Sequence, residues 1–207
     1  MTASGEATFT GELFAGRRLE LRDADVTHVP GFFDVAESDA LLHDLGETIV
    51  WRHDSITMYG KTSPIPRLNA WYGDAGKTYR YSNISMQPRP WTPALTTIRE
   101  RIERECDQRF NSVLLNLYRD GRDGVAWHAD DEPELGPEPV IASVSFGATR
   151  RFQLRHRNER TLQHELALAH GGLVVMRGPT QAHWLHQVPK TSKPVAPRIN
   201  LTFRSII

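Results

Sequence analysis

The feature that most constrains the fold is a succession of short β-like segments in the C-terminal half of the chain. Each segment alternates polar and apolar residues or is briefly apolar, and turn-forming residues separate it from the next. The segments cover residues 112–119, 141–146, 151–155, 162–168, 173–176, 183–188 and 198–205. So many short strands after two helices predict an α+β domain with a double-stranded β-helix (jelly-roll) core.

Two main helices are predicted upstream of these strands, where they buttress one sheet. Asp34 is suited to cap a helix that runs to about residue 48. A second helix is predicted from about residue 90 to residue 109, with an apolar stripe of Leu95, Ile98 and Ile102. Between the helices the chain is rich in aromatic, Gly and Pro residues, so we expect short strands and long loops there.

Length, charge and cysteine content limit the classes of protein. The chain has 207 residues and a formal net charge of zero, so we expect one domain, 1–207, whose binding of nucleic acid requires a local basic patch. The single cysteine, Cys106, excludes an intramolecular disulfide and a cysteine-based zinc site. No stretch approaches the ~20 apolar residues of a membrane span, and the N-terminus lacks a signal-peptide pattern. We therefore expect a cytoplasmic protein, nucleoid-associated if bacterial, that is not secreted. No obligate protein partner is inferred, so we expect a monomer.

The last predicted strand carries polar residues on one face and apolar residues on the other. Arg198, Asn200 and Arg204 alternate with apolar residues, so they point to the same side. Asn116 and Tyr118 share a face of an earlier strand in the same way. Because buried polar groups need partners, a jelly roll with this inward face is expected to enclose a polar ligand and a metal.

Three residues have the spacing of a 2-His-1-carboxylate metal site. His128 and Asp130 form an H-x-D pair, and His186 lies far downstream. This set fills one face of an Fe(II) octahedron and leaves the other open, although H-x-D alone also occurs in surface turns. His183 is three residues from His186 on the predicted strand and so faces the other side, which favours a packing role.

The two arginines of the last strand indicate an acidic ligand. Arg198 and Arg204 flank apolar residues typical of a buried strand, although such a pair also occurs as solvated charges on an edge strand. Guanidinium groups bind carboxylates in a bidentate manner and stay charged. The pair is therefore predicted to clamp both ends of a small dicarboxylate.

Taken together, these motifs resemble the AlkB family of Fe(II)/2-oxoglutarate-dependent nucleic-acid dealkylases, and most of all its members that repair duplex DNA. The resemblance covers about residues 55–206. It is carried by Asn116-x-Tyr118, His128-x-Asp130-Asp131-Glu132, residues 141–147, His183-Trp184-x-His186 and residues 196–204.

The resemblance implies a role for each residue of the polar face. His128, Asp130 and His186 hold Fe(II), and Arg198 and Arg204 pair with the carboxylates of 2-oxoglutarate, while Asn116, Tyr118 and Asn200 complete that pocket. It also implies the reaction. With O₂ as the second cosubstrate, N-methyl groups of flipped bases such as 1-methyladenine and 3-methylcytosine are hydroxylated, and succinate and formaldehyde are released.

The resemblance further implies a nucleotide-recognition lid at about residues 51–90, ahead of a catalytic core at about residues 112–207. Tyr81 is expected to stack on the flipped base against His128, and Tyr79 to bond near the base edge or phosphate. Of the acidic pair Asp131 and Glu132, we prefer Glu132 as the contact to the base edge.

DNA contacts outside the base pocket are also predicted. Met58-Tyr59-Gly60 aligns with a wedge that duplex-specific relatives insert into the base stack, although an exposed turn without function has the same pattern. This favours duplex over single-stranded DNA. The expected phosphate contacts are Arg67, Lys77, Arg80, Arg89, Lys190 and Lys193.

Three alternatives stay open at this point. The same chemistry applies to RNA, a free nucleotide or a protein side chain. A non-catalytic lesion-binding module would keep the fold but has no need of the metal set and both arginines. A zinc site uses similar ligands but does not explain the presence of the two arginines.

Overall fold

The fold is described from a computed structural model that covers residues 16–58, 61–76, 79–81, 84–86 and 88–207, with only the main chain considered for the parts of 56–61 and 77–87 in these ranges. The helices are Val35–Thr48 (α1), Pro93–Cys106 (α2) and Thr180–His183 (α3), with a 3-10 turn at Pro133–Leu135. The strands are Arg17–Leu19 (β1), Asp25–Val29 (β2), Ser55–Met58 (β3), Lys61–Pro64 (β4), Leu68–Gly73 (β5), Tyr79–Tyr81 (β6), Ile84–Met86 (β7), Ser112–Tyr118 (β8), Val125–His128 (β9), Ile141–Gly147 (β10), Arg150–His156 (β11), Gln163–Leu168 (β12), Gly172–Arg177 (β13), Trp184–Val188 (β14) and Arg198–Arg204 (β15).

The strands form two main antiparallel sheets. The larger sheet has the order β1-β2-β13-β10-β15-β8-β5, and the smaller has the order β12-β11-β14-β9. Two separate hairpins, β3–β4 and β6–β7, lie between the helices in sequence. This arrangement confirms the predicted jelly-roll core.

Two apolar clusters stabilise the two faces of the larger sheet. On one face, Leu45 of α1 and Ile98 of α2 belong to the same buried cluster as Leu115 and Leu201 of the sheet. On the other face, residues such as Leu114 share a cluster with buried residues of the smaller sheet. The predicted buttressing of one sheet by two helices is therefore confirmed.

The predicted helix starts follow from local hydrogen bonds. The main-chain N–H of Glu37 donates to Asp34 (2.8 Å), and the N–H of Asp34 donates back to Glu37 (3.3 Å), which is a capping box. Helix α2 begins after its cap, Thr92, but ends at Cys106 rather than near residue 109. Asp107 takes a left-handed conformation there (φ 48°), which ends the helix.

Three further details differ from the sequence-based expectation. His183 ends the short helix α3, so β14 begins one residue later than predicted. Strand β9 was not predicted, because its four residues have no clear apolar alternation. Strand β5 lies within the range predicted for the lid but pairs with β8 in the larger sheet. None of the helices in the described ranges is long and apolar enough to cross a membrane.

The strand that carries the two arginines depends on its helix-facing side chains for stability. Leu201 of β15 is fully buried in the helix-side cluster. We expect Leu201→Ala to lower the free energy of unfolding by about 2–5 kcal/mol, because it leaves a cavity that the sheet and helices cannot close. Urea denaturation measures this loss. Leu185→Ala, at a half-buried position of β14, is the control, and equal losses for the two variants would contradict the expectation.

Candidate metal centre

Two histidines and an aspartate meet in a cavity between the two sheets. His128 ends β9 and is the direct cross-strand partner of His186 on β14, which brings their ring centroids to 4.3 Å. Asp130 follows β9, and its Oδ2 lies 3.9 Å from Nε2 of His186. One donor atom of each residue lies within 4.8 Å of the others. The structure therefore brings together the three residues predicted as metal ligands.

Asp130 and His186 are held in the protonation states that a metal requires. Burial alone raises the pKa of Asp130, but the charge of Arg204 and the two imidazoles outweigh it and lower the pKa to about 2. Burial lowers the pKa of His186 to about 3, and the neighbouring His128 adds to this shift. At neutral pH the carboxylate is ionised and the imidazole is neutral, as metal ligands must be.

Hydrogen bonds orient two of the ligands. Nδ1 of His128 donates to the carbonyl of Ala126 (2.8 Å), which leaves the Nε2 lone pair for a metal. Nη2 of Arg204 donates to Oδ1 of Asp130 (2.7 Å). Because Oδ1 is bound to Arg204, Oδ2 is the oxygen that faces His186.

A buried guanidinium marks the adjoining part of the cavity. Arg198 is fully buried, and its Nη2 donates to Oγ of Ser145 (2.8 Å) and to Oδ1 of Asn200 (2.7 Å). Its Nε and Nη1 are buried and have no hydrogen-bond partner among the described residues. Burial lowers the pKa of Arg198 to about 10, so it is charged at neutral pH. Two free donors on a buried cation fit a carboxylate of the predicted cosubstrate.

The other predicted cosubstrate residues line the same cavity. They are Asn116, Tyr118, Asn200 and Arg204. The ring of Tyr118 lies against Arg198, 5.1 Å from the guanidinium carbon to the ring centroid. Oδ1 of Asn200 also accepts from Ser143 (3.1 Å). Because Arg204 contacts Asp130, the prediction that it binds a second carboxylate stays a prediction.

Arg67 corrects one sequence-based expectation. The sequence predicts that Arg67 contacts phosphate at the surface, but Arg67 is only 5% exposed and lines the cavity. Its Nε donates to Oδ1 of Asn116 (2.7 Å), and its Nη1 donates to the carbonyl of Gly124 (3.2 Å). The prediction is wrong because the side chain is buried and its hydrogen bonds go to β8 and to the loop at Gly124.

The two acidic residues after Asp130 differ in their hydrogen bonding. Asp131 accepts a hydrogen bond from Nη2 of Arg157 (2.5 Å). Oε2 of Glu132 is buried and has no hydrogen-bond partner among the described residues. The two side chains therefore differ in their freedom to bind a ligand.

The remaining DNA-contact predictions stay untested. Lys190, Lys193 and Arg89 are exposed. Tyr59, Gly60 and Lys77 lie outside the described residues, and only the main chain is described for Met58, Tyr79, Arg80 and Tyr81.

A second cluster contains residue types that bind metals, but its hydrogen bonds do not suit a metal site. Asp23, His156 and His183 also place donor atoms within 4.8 Å of one another. However, the main-chain N–H of Glu159 donates to Nδ1 of His156 (3.1 Å), so the neutral ring carries its proton on Nε2. That nitrogen, 3.4 Å from Asp23, has no lone pair for a metal. His183 stacks against His156, outside the first cluster.

One contact of the metal centre was missed by sequence reasoning. The main-chain N–H of Asp130 donates to Oε1 of Gln181 (3.0 Å). Gln181 belongs to no motif that we singled out, and it approaches Asp130 only because α3 packs beside the cavity. No local sequence signal identifies it.

Comparison with known proteins places this geometry in a family. Residues 25–204 match the 2OG-Fe(II) oxygenase superfamily. The chain is 46% identical to mouse alpha-ketoglutarate-dependent dioxygenase alkB homolog 3 over 189 residues, which is 86% of this chain and 64% of that protein. It is 42% identical to human DNA oxidative demethylase ALKBH2 over 185 residues, which is 84% of this chain and 71% of that protein.

A structural comparison supports the fold. The solved structure of OsALKBH1 superposes with a TM-score of 0.64 at 16% identity, covering 91% of this chain and all of that one. The chain spans just under two thirds of the length of its mouse alkB homolog 3 relative. With the superfamily match across nearly all of the sheet core, these findings show that the chain belongs to the AlkB family of the 2OG-Fe(II) oxygenase superfamily.

Proposed function

We propose that the chain is an Fe(II)- and 2-oxoglutarate-dependent dioxygenase that removes N-methyl groups from bases of alkylated DNA. The proposal depends on the convergence of a 2-His-1-carboxylate set and the buried Arg198 on one cavity, where two nitrogens of Arg198 have no hydrogen-bond acceptor in the described part of the chain. The relatives include a DNA oxidative demethylase, which supports DNA as the substrate.

In this proposal the protein supplies positions and charges. Bound iron supplies the oxidising chemistry, in which O₂ and 2-oxoglutarate are consumed while the N-methyl group is hydroxylated and lost as formaldehyde. His128, Asp130 and His186 hold the ion, and Arg204 keeps Asp130 ionised and turned towards it. Arg198 binds one carboxylate of 2-oxoglutarate, with Asn200 and Ser145 fixing the guanidinium plane.

Glu132 is the proposed contact to the damaged base. An N1-methyladenine or N3-methylcytosine carries a positive charge that the undamaged base lacks. A carboxylate without a partner therefore favours the lesion, and Oε2 of Glu132 fits this role. Asp131 fits it less well because Arg157 already neutralises it.

The proposed duplex preference depends on the hairpin β3–β4. Met58 is the last residue of β3 and pairs with Lys61 of β4, and the proposed wedge, Met58-Tyr59-Gly60, begins at this residue in the sequence. Tyr81 of β6 remains the proposed stacking contact to the base, and Tyr79 the proposed contact near the base edge or phosphate. The proposed phosphate contacts are Lys77, Arg80, Arg89, Lys190 and Lys193. We further propose that the protein acts as a cytoplasmic monomer.

The first test is a demethylation assay by mass spectrometry. The iron-loaded protein receives 2-oxoglutarate, O₂ and an oligonucleotide with N1-methyladenine, as duplex DNA, single-stranded DNA or RNA. We expect loss of one methyl mass that requires 2-oxoglutarate, is absent in His186→Ala and is fastest on the duplex. Succinate formation without demethylation of any oligonucleotide would support an oxygenase activity but refute alkylated nucleic acid as its substrate. A faster reaction on RNA would refute duplex DNA as the preferred substrate.

The role of Arg198 predicts a specific loss of cosubstrate binding. We expect Arg198→Met to raise the KM for 2-oxoglutarate by about 30-fold or more, because removing one partner of a buried charge pair costs about 2–5 kcal/mol. The measurement is initial rate against 2-oxoglutarate concentration. Arg151→Met, an exposed arginine of β11, is the control, and an unchanged KM in Arg198→Met would refute the assignment.

The two acidic residues predict different effects on lesion selectivity. We expect Glu132→Gln to reduce the preference for an N1-methyladenine strand over the unmodified strand by about 10-fold or more, since a hydrogen bond to a charged group contributes about 1.5–3 kcal/mol. Asp131→Asn is the matched variant and is expected to have the smaller effect. Competition binding measures both. Equal effects would refute the preference for Glu132, and a reversed order would show that Asp131 is the base contact.

A further inference from the structure

The main chain of Asp130 is held by a side chain outside the proposed ligand set. Asp130 is 1% exposed, so its N–H has no access to water, and it donates to Oε1 of Gln181 (3.0 Å). Gln181 is itself 2% exposed. Its Nε2 donates to the thioether sulfur of Met176 (3.4 Å), and because a thioether only accepts, the amide orientation is determined. The carboxamide thus presents its oxygen to Asp130.

A second residue supports this contact from the outer side. Nη2 of Arg157 donates to the main-chain carbonyl of Gln181 (3.1 Å) and to Oδ2 of Asp131 (2.5 Å). The main-chain N–H of Arg157 donates to the carbonyl of His183 (2.7 Å). Arg157 therefore ties the segment after β9 to both ends of α3.

Helix α3 is a fixed support for these contacts. Oγ1 of Thr180 donates to the carbonyl of Arg177 (2.6 Å) and accepts from the N–H of Asp25 (2.8 Å), which joins α3 to β13 and β2. Strand β14, with His186, follows α3 directly. The helix therefore helps to determine two positions: that of His186, which follows it in the chain, and that of Asp130, which bonds to Gln181.

We infer that Gln181, supported by Arg157, is a positioning residue for the iron site. It contacts neither iron nor substrate and acts by fixing the main chain at Asp130, so that Oδ2 faces the imidazoles while Arg204 holds Oδ1. The inference rests on the proposed role of Asp130 as an iron ligand. It assigns to a glutamine of α3 part of the affinity for the metal.

The test measures metal affinity apart from catalysis. Mn(II) replaces Fe(II) because it takes similar oxygen and nitrogen ligands, and its electron paramagnetic resonance signal distinguishes free from bound ion. Gln181→Met keeps the side-chain length but replaces the amide oxygen by a thioether sulfur, which is a much weaker acceptor. Gln153→Met makes the same change on β11, where the amide bonds to Glu165 and Gln187 instead. Asp130→Ala removes the proposed ligand, and thermal unfolding of each metal-free variant reports stability separately.

We expect Gln181→Met to raise the Mn(II) dissociation constant about 10- to 100-fold, as losses of partners of metal ligands do, and Asp130→Ala to abolish binding. Gln153→Met should stay within about twofold of the parent. If Gln181→Met binds Mn(II) with the parental dissociation constant while Asp130→Ala does not bind it, the inference is overturned and the proposed ligand set is retained. Parental binding in Asp130→Ala overturns the proposed ligand set, and the inference with it.

A second variant decides the matter if Gln181→Met does not fold. The double variant Arg157→Met/Asp131→Asn removes the outer support of Gln181 and leaves the net charge unchanged. A raised Mn(II) dissociation constant in the folded double variant supports the inference, and a parental one overturns it. A lower melting temperature alone, without a change in dissociation constant, also overturns it.

Discussion

The ion pair between Arg204 and Asp130 is the interaction on which the rest of the site depends. Both side chains are almost fully buried, and their atoms lie 2.7 Å apart. A buried carboxylate without such a partner takes up a proton, because desolvation disfavours its charge. The pair therefore keeps the Asp130 carboxylate ionised between the two sheets. In that state Asp130 can serve with the two histidines as a metal site.

The architecture separates the work of stability from the work of chemistry. One face of the larger sheet packs against α1 and α2 and is apolar. The opposite face combines an apolar cluster with a polar cavity. Strand β15 shows the division residue by residue, since Leu201 and Phe203 belong to the helix-side cluster while Arg198 and Arg204 line the cavity. The strand can therefore be rigid and polar at once.

The sequence predicts those parts of this structure that are encoded locally or by a family motif. Local sequence patterns identify the capping residue Asp34 and the alternation of β15. A motif, H-x-D with the distant His186, identifies the metal ligands. Arg67 and Gln181 have neither. Arg67 is a surface cation by composition and becomes part of the cavity wall only because β5 pairs with β8. Gln181 meets Asp130 across 51 positions of sequence, a proximity that depends on how α3 packs.

The position of Tyr118 has a consequence for the cavity as a whole. Its ring lies close to the guanidinium groups of both Arg198 and Arg150, at centroid distances of 5.1 Å and 5.6 Å, and so contacts two buried like charges. Arg67, Arg198 and Arg204 also line the cavity, where Asp130 is the one carboxylate among its described lining residues. The interior is thus short of negative charge. A bound dicarboxylate would act as a counter-ion that completes the protein core, as well as a reactant.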